Sequence, residues 1–197
     1  MATRPEVVLV RHGETEWSRA GRHTSRTDLP LTEAGERQAR ELRSALAGRA
    51  FAVVLSSPLI RARLTAELAG FANPELVDDL RELGYGDYEG RTTADIQREV
   101  PGWTVWTGVL PGGETLAAAA ARADRVIERI RSVDGTVLVF GHGHLSRILA
   151  VRWCGLPPDV GAHFLLGASS VCSLGYERAT PAIQFWNVAI EQLLAAH

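Results

Sequence analysis

The amino-acid sequence predicts a three-layer α/β sandwich with a mostly parallel central sheet, and three observations favour this fold class. Short runs of β-branched residues at 6–11, 51–56 and 136–141 are typical of strands that are buried on both faces. Stretches with helical apolar spacing separate these runs, as they do in βαβ units. The length of 197 residues suits one domain with its own core, so we expect a single domain over residues 1–197.

Two helices are predicted on either side of the second strand. Residues 31–49 carry apolar side chains at helical spacing, and Thr32 is a suitable N-cap for this helix. Residues 57–70 predict the next helix, with Ser57 as its N-cap and Gly70 as its end. The alternation of strand and helix in this part of the chain indicates a βαβ unit.

The second half of the chain continues the alternation and ends in an antiparallel pair. We predict a loop at 78–90, a short helix at 92–100, an irregular segment at 101–114, a long helix at 114–132 and a helix at 142–155. Residues 169–177 and 181–190 alternate like two antiparallel strands at a sheet edge. Such an edge can pair with a second copy, so the chain is a candidate for homodimer formation.

The composition excludes several classes of function. The chain is 46% hydrophobic and 22% charged with a formal net charge of -2, so no overall field attracts nucleic acid or an anionic membrane. We find neither a basic, apolar leader at the N-terminus nor eighteen consecutive apolar residues, and therefore expect a cytoplasmic protein without a membrane partner. Cys154 and Cys172 lie far apart without metal-type spacing, which favours buried thiols over a functional pair.

Polar residues follow the ends of all three predicted parallel strands. Residues 11–13 read Arg-His-Gly, residues 141–144 read Gly-His-Gly-His, and the second strand leads to a helix that carries Arg61. Ligands of such sheets bind beyond the carboxyl ends of the strands, where helix N-termini also offer backbone N–H groups to anions. Because arginine binds phosphate oxygens in a bidentate manner, this group of residues predicts a phosphoryl site.

Four sequence blocks in a fixed order carry a resemblance to a known family. These blocks are "LVRHGETEW", "SSPLIRARLTA", "LRELGYGDYEG" and "VFGHGHLSR". Over residues 6–188 or so the chain resembles the histidine phosphatase superfamily, also called the phosphoglycerate mutase-like family. Within it, the chain is most similar to the phosphatase branch that includes bacterial acid phosphatases and the sedoheptulose bisphosphatase type. The resemblance implies a phosphohistidine intermediate, a small phosphorylated substrate, no metal and no cofactor.

The resemblance also implies roles for individual residues. His12 would be the nucleophile, Glu82 the proton donor, and His142 a second histidine that contacts the phosphoryl oxygens. The implied substrate-binding residues are the phosphate clamps Arg11 and Arg61, the hydroxyl of Ser18, Arg22 for the rest of the substrate, and Gly143 at a helix start.

The chemistry of these residue types agrees with those roles. Histidine attacks phosphorus only as neutral imidazole, and neighbouring arginines lower its pKa while they neutralise the phosphate. The transition state spreads charge over three oxygens, which the arginines stabilise. The departing alkoxide needs a proton, which Glu82 supplies before it takes one back from the attacking water.

Three alternatives stay open at this stage. A cofactor-primed phosphoglycerate mutase would need a longer region with adjacent arginines and a lysine, whereas residues 91–113 are short and contain tryptophans. A non-catalytic phospho-ligand binder is disfavoured because His12, Glu82 and His142 are all present. A zinc site of three histidines, His12, His142 and His144, is disfavoured by the two nearby arginines.

The sequence leaves the roles of three further residues undecided. Trp103 and Trp106 are equally consistent with ordinary packing and with an apolar lid over the site. His144 either lines the pocket or caps its helix.

Overall fold

The computed structural model describes residues 4–195 and contains one six-stranded sheet in the order β3-β2-β4-β1-β5-β6. The strands are β1 Glu6–Arg11, β2 Val53–Ser56, β3 Glu75–Leu76, β4 Thr136–Gly141, β5 Val171–Glu177 and β6 Thr180–Val188. The helices are α1 Glu16–Arg19, α2 Glu33–Ala45, α3 Ile60–Leu68, α4 Thr93–Glu99, α5 Leu116–Arg131, α6 Gly143–Trp153 and α7 Ile190–Ala195. Short 3₁₀ turns lie at Asp78–Leu80, Gly86–Tyr88 and Pro158–His163.

The pairing of the strands confirms the predicted fold class. Strands β1, β4, β2 and β3 are parallel neighbours, whereas β5 pairs antiparallel with both β1 and β6. Arg11 lies opposite Gly141 in the register, and Ser56 lies opposite Phe140. The carboxyl ends of β1, β2 and β4 therefore meet at one edge of the sheet, where the sequence predicts the site.

Side chains of the central strands alternate between two hydrophobic clusters, one on each face of the sheet. Val7 and Leu9 pack in the cluster that contains residues of α5 and α6. Val8 and Val10 pack in the other, with residues of α2 and α3. Each fully buried side chain of this size contributes roughly 1.5–3 kcal/mol to folding. Through these clusters a layer of helices packs against each face of the sheet. The sheet and the two helical layers form the three layers of the fold.

The structure differs from the sequence prediction at the start of α3. The N-cap is Leu59 and not Ser57, although the Ser57 hydroxyl accepts a hydrogen bond from the Leu59 N–H at 3.3 Å. Ser57 is instead directed into the protein, where its hydroxyl contacts His142. At the other end the prediction is correct, because Gly70 follows the helix with a φ of +95° that favours glycine.

The structure contains elements that the sequence does not predict, and it shows the state of the two cysteines. Three strands or helices were not predicted, namely the short helix α1, the short edge strand β3 and the helix α7 after β6. Cys172 is buried and Cys154 is half-buried, and neither forms a disulfide. In the part of the chain that the structure describes, no helix is both long enough and apolar enough to cross a membrane. The homodimer and the single-domain boundary stay predictions.

Candidate active site

His12 follows β1 directly and is almost completely buried, with 5% of its surface exposed. Its backbone N–H donates to the Gly141 carbonyl at 3.0 Å, which ties it to the end of β4. Its Nδ1 lies 2.7 Å from the Gly13 carbonyl oxygen, which can only accept, so Nδ1 carries the proton. Burial, assisted by the charges of Arg11 and Arg61, holds the pKa of His12 well below its usual value. His12 is therefore neutral, with an unprotonated Nε2.

Arg11 is the arginine next to His12 that lines the same cavity. One of its Nη atoms donates to the Leu166 carbonyl, which fixes the guanidinium. Its Nε is buried and has no hydrogen-bond partner among the described residues. A buried donor without an acceptor is costly unless a ligand supplies one. Arg11 is accordingly suited to bind an anion beside His12.

Glu82 reaches the cavity from the loop after β3 and is 6% exposed. Its Oε1 accepts hydrogen bonds from the N–H groups of Leu83 at 2.9 Å and Leu145 at 2.8 Å. Its Oε2 accepts from the His144 N–H at 3.0 Å. Two of these donors belong to the first turn of α6, where the helix dipole favours a carboxylate. Glu82 is thus held in one orientation by backbone groups.

Arg61 and His142 lie behind His12 and are both fully buried. The His142 ring centre is 5.2 Å from that of His12, and its Nδ1 accepts from Arg61 Nε at 3.2 Å. The Nη atoms of Arg61 donate to three carbonyls of one loop, those of Thr24, Ser25 and Thr27. The structure therefore brings both residues to the site but outside the lining of its cavity, and their contact with phosphoryl oxygens stays a prediction.

The cavity in front of His12 has a volume of about 380 Å³, which is the size of a small-molecule site. We call the part lined by the predicted catalytic and phosphate-binding residues the inner end; these residues are Arg11, His12, Ser18, Glu82 and Gly143. The Ser18 hydroxyl lies in the capping box of α1, where it donates to the Thr15 carbonyl at 3.0 Å. Its predicted bond to phosphate would replace this contact.

The outer end of the cavity is lined by Arg22, His23, Thr24, Tyr85, Thr93, Thr104, Trp106, His144 and Arg147. The Arg147 guanidinium lies over the Trp106 ring, 4.5 Å from its centre, and donates to the carbonyls of Gly161 and Ala162. His144 lies 5.3 Å from the Trp106 ring centre, and its Nδ1 is 2.7 Å from the Tyr85 hydroxyl oxygen. Aromatic rings and a fixed guanidinium thus form one wall.

The structure decides the roles that the sequence left open. Trp106 lines the cavity, whereas Trp103 is 3% exposed and packs its ring against Tyr88. His144 lines the cavity and gives its backbone N–H to Glu82. Arg22 is exposed and lines the outer end, and its contact with a substrate stays a prediction.

Sequence reasoning missed three residues that shape the site, namely Ser57, Tyr85 and Arg147. The sequence predicts a helix cap at Ser57 and places Tyr85 in a glycine-rich loop. The signal for Arg147 was its place on the helix that follows His142, since that helix begins at the strand ends. No motif distinguishes these residues from ordinary structural ones, because each acts through contacts that are distant in sequence.

The zinc alternative finds no geometric support within residues 4–195. This part of the chain holds no group of three or more histidine, cysteine, aspartate or glutamate side chains arranged to bind a metal ion. Both ring nitrogens of His142 are engaged by protein atoms, Nδ1 by Arg61 and Nε2 by Ser57 at 2.7 Å.

Comparison with known proteins gives consistent results. Residues 7–189 match the model of the histidine phosphatase superfamily (branch 1). The chain is 41% identical over 178 residues to an acid phosphatase of Mycobacterium tuberculosis, covering 87% of this chain and 86% of the relative. It is 36% identical over 186 residues to sedoheptulose 1,7-bisphosphatase of Saccharomyces cerevisiae, covering 77% and 68%. A solved structure of an open reading frame of Mycobacterium tuberculosis matches with a TM-score of 0.89 at 36% identity, covering 94% of this chain and 98% of the other.

Proposed function

This chain belongs to branch 1 of the histidine phosphatase superfamily and is a phosphatase, and on that premise we propose which residues carry the reaction and what kind of substrate it takes. His12 is the nucleophile, Glu82 is the general acid and base, and Arg11 holds the phosphoryl group with the N–H of Gly143. The substrate is a small phosphate monoester. The observation that carries the proposal is the Nδ1 contact of His12 with the Gly13 carbonyl, which leaves Nε2 with a free electron pair.

The first half of the reaction transfers the phosphoryl group to the enzyme. His12 Nε2 forms a bond to phosphorus as the bond between phosphorus and the alcohol oxygen breaks. Arg11 supplies positive charge to the equatorial oxygens, and its unpartnered Nε donor gains an acceptor. Glu82 gives its proton to the departing oxygen, so that the alcohol leaves neutral. The products of this half are phosphohistidine, a free alcohol and the Glu82 carboxylate.

The second half returns the enzyme to its starting state. Water attacks the phosphohistidine, and the Glu82 carboxylate takes the proton that the water loses. The bond between phosphorus and His12 Nε2 breaks, which releases inorganic phosphate and the neutral imidazole. The three backbone N–H groups that bind Glu82 keep its carboxyl group in place through both halves.

The outer end of the cavity receives the alcohol part of the substrate. The lining there is mostly polar and includes the side chain of Trp106. Arg22 contacts that part of the substrate at the mouth.

The half-buried Cys154 and the buried Cys172 are unpaired, which supports the reducing cytoplasm as the place of action.

Substitution of His12 tests the proposal. We expect His12→Ala to lower kcat for p-nitrophenyl phosphate in the presence of a metal chelator by about 10⁴-fold or more, because no other group replaces the nucleophile. His163→Ala is a matched control, since His163 is exposed and does not line the cavity. Rapid quenching of the wild type should trap acid-labile phosphate on His12. Chelator-resistant hydrolysis that survives in His12→Ala would contradict the mechanism.

The same protein preparation tests the two other readings. A mutase would convert 3-phosphoglycerate to 2-phosphoglycerate when it is primed with 2,3-bisphosphoglycerate, with little release of phosphate. A non-catalytic binder would bind phosphate esters without turnover. We expect release of phosphate to exceed primed isomerisation, and the opposite ratio would replace the phosphatase reading with the mutase.

A further inference from the structure

Three fully buried side chains form a hydrogen-bonded row behind the nucleophile. We call this row the Ser57 relay; it consists of Ser57, His142 and Arg61, each with 0% of its surface exposed. His142 Nε2 lies 2.7 Å from the Ser57 hydroxyl oxygen, and Arg61 Nε lies 3.2 Å from His142 Nδ1. The middle ring is 5.2 Å from the ring of His12, centre to centre.

The direction of each hydrogen bond in the relay follows from the chemistry of its members. The guanidinium of Arg61 only donates, so Nδ1 of His142 must present its electron pair. Burial, assisted by Arg61, His12 and Arg11, holds the pKa of His142 well below its usual value, and the ring is neutral. A neutral ring with an unprotonated Nδ1 carries its proton on Nε2. His142 therefore donates from Nε2 to the Ser57 hydroxyl oxygen.

Ser57 is itself fixed by the sheet. Its backbone N–H donates to the Phe140 carbonyl of β4 at 3.0 Å. Its hydroxyl oxygen accepts a second hydrogen bond from the Leu59 N–H at 3.3 Å. The Ser57 hydroxyl oxygen is thus an acceptor that is held in a fixed position. Among the described residues it is the one acceptor of the His142 Nε2–H.

We propose that Ser57 is a positioning residue for the phosphatase reaction, which accepts the Nε2–H of His142 and so fixes the plane of a ring whose tautomer Arg61 sets. The inference rests on the proposed function of His12. A missing Ser57 hydroxyl leaves the buried Nε2–H without an acceptor. Its proton cannot move to Nδ1, because there it would face the Nε–H of Arg61. The ring therefore turns from its wild-type plane, since a buried donor without an acceptor is costly. The groups behind the nucleophile lose their arrangement.

The wild-type protein tests the tautomer without any substitution. We expect long-range ¹H–¹⁵N NMR of the histidine rings to show His142 as the neutral Nε2–H form, with its signals assigned by their loss in His142→Asn. The same spectrum of Ser57→Ala should keep the Nε2–H form, because Arg61 still donates to Nδ1, but its Nε2–H proton should move upfield through the loss of its acceptor. An Nδ1–H tautomer in the wild type, or an unchanged Nε2–H signal in Ser57→Ala, overturns the proposal.

Kinetics with p-nitrophenyl phosphate test the consequence for the reaction. We expect Ser57→Ala to lower kcat by about 10-fold and to change KM less than 3-fold, since the relay acts on the groups that stabilise the transition state. Ser56→Ala is the matched control. Ser56 is equally buried and its hydroxyl donates to the Ser57 carbonyl at 2.9 Å, without contact to a histidine. We expect its kcat to stay within 2-fold of the wild type.

A conservative variant separates positioning from a loss of folding. Ser57→Cys keeps nearly the same volume and a weak acceptor, and we expect a kcat between those of the wild type and Ser57→Ala. Melting temperatures of the Ser57 and Ser56 variants should agree within a few degrees. Equal kcat losses in Ser57→Ala and Ser56→Ala would overturn the proposal. Failure of the His12 mechanism is recognised separately, by chelator-resistant activity in His12→Ala.

Discussion

The two ends of the cavity are built in different ways. At the inner end the functional side chains are held by the backbone: His12 by Gly13, and Glu82 by the N–H groups of three residues. At the outer end contacts between side chains contribute as well: Trp106 contacts both Arg147 and His144, while Arg147 also donates to two carbonyls. A substitution leaves the hydrogen-bonding groups of the backbone in place, whereas it removes or alters the contacts that the replaced side chain makes. Under the proposed mechanism, the inner end would hold the reacting groups, and the outer end would receive the alcohol part of the substrate.

After the loss of the nucleophile in His12→Ala, the largest expected effect is also at the inner end, on Glu82. We expect Glu82→Gln to lower kcat for glycerol 3-phosphate by about 10²- to 10⁴-fold, because the poor leaving group needs a proton. With p-nitrophenyl phosphate the leaving group needs none, but the second half still lacks its base. This substrate should therefore give a burst of one nitrophenolate per active site, followed by slow turnover. Rapid-quench and stopped-flow kinetics measure both.

The matched control for this variant is another carboxylate of the same loop. Glu89 Oε1 accepts from the N–H groups of Ser25 at 2.7 Å and Thr27 at 3.1 Å, but Glu89 does not line the cavity. Glu89→Gln therefore removes a similar backbone-bound carboxylate, and we expect less than a 3-fold change in kcat. An equal loss for both variants, or no burst in Glu82→Gln, would show that Glu82 has only a structural role.

A smaller effect is expected at the outer end, on Arg147. Its Nε and one Nη bind carbonyls, and its other Nη makes no hydrogen bond with the described residues. We expect Arg147→Gln to lower kcat/KM for a monoester with a second anionic group. This loss should be about 10-fold larger than the loss for p-nitrophenyl phosphate. Arg26→Gln, at an exposed arginine outside this cavity, should change neither value. A parallel loss on both substrates would place Arg147 outside substrate recognition.

The same contrast explains how much of the molecule could be predicted from the sequence. The strand ends and their residues, Arg11, His12 and His142, were predictable because parallel strands place their carboxyl ends together. The placement of Glu82 beside them came from the resemblance alone. The wall of Trp106 and Arg147 was not predictable, since it joins an irregular segment to a helix and depends on packing without periodicity. The error at Ser57 has the same origin: a hydroxyl before a helix favours a cap, but a buried histidine needed an acceptor.

The smallest effect concerns stability in acid, to which both ends contribute. Burial holds the pKa values of His12, His142 and His144 well below the usual value. In the unfolded chain these groups bind protons below about pH 6.5, whereas the folded protein does not bind them until a lower pH. The unfolded state therefore binds more protons in this window, and the free energy of unfolding falls as the pH decreases from about 6.5. Above that pH these groups leave stability unchanged.

Substitution of His144 at the outer end tests how much of the acid sensitivity of folding comes from that end. His144→Gln removes a group that takes up a proton when the protein unfolds in acid. Between pH 7.5 and pH 5.0 we therefore expect the melting temperature of this variant to fall by roughly 3 °C less than that of the wild type. His163→Gln is the control, because its exposed ring changes surroundings little on unfolding. The comparison uses the loss of melting temperature and not its absolute value, since His144→Gln also alters the contact with Tyr85. An unchanged loss in His144→Gln would assign the acid sensitivity to His12 at the inner end and to His142 behind it.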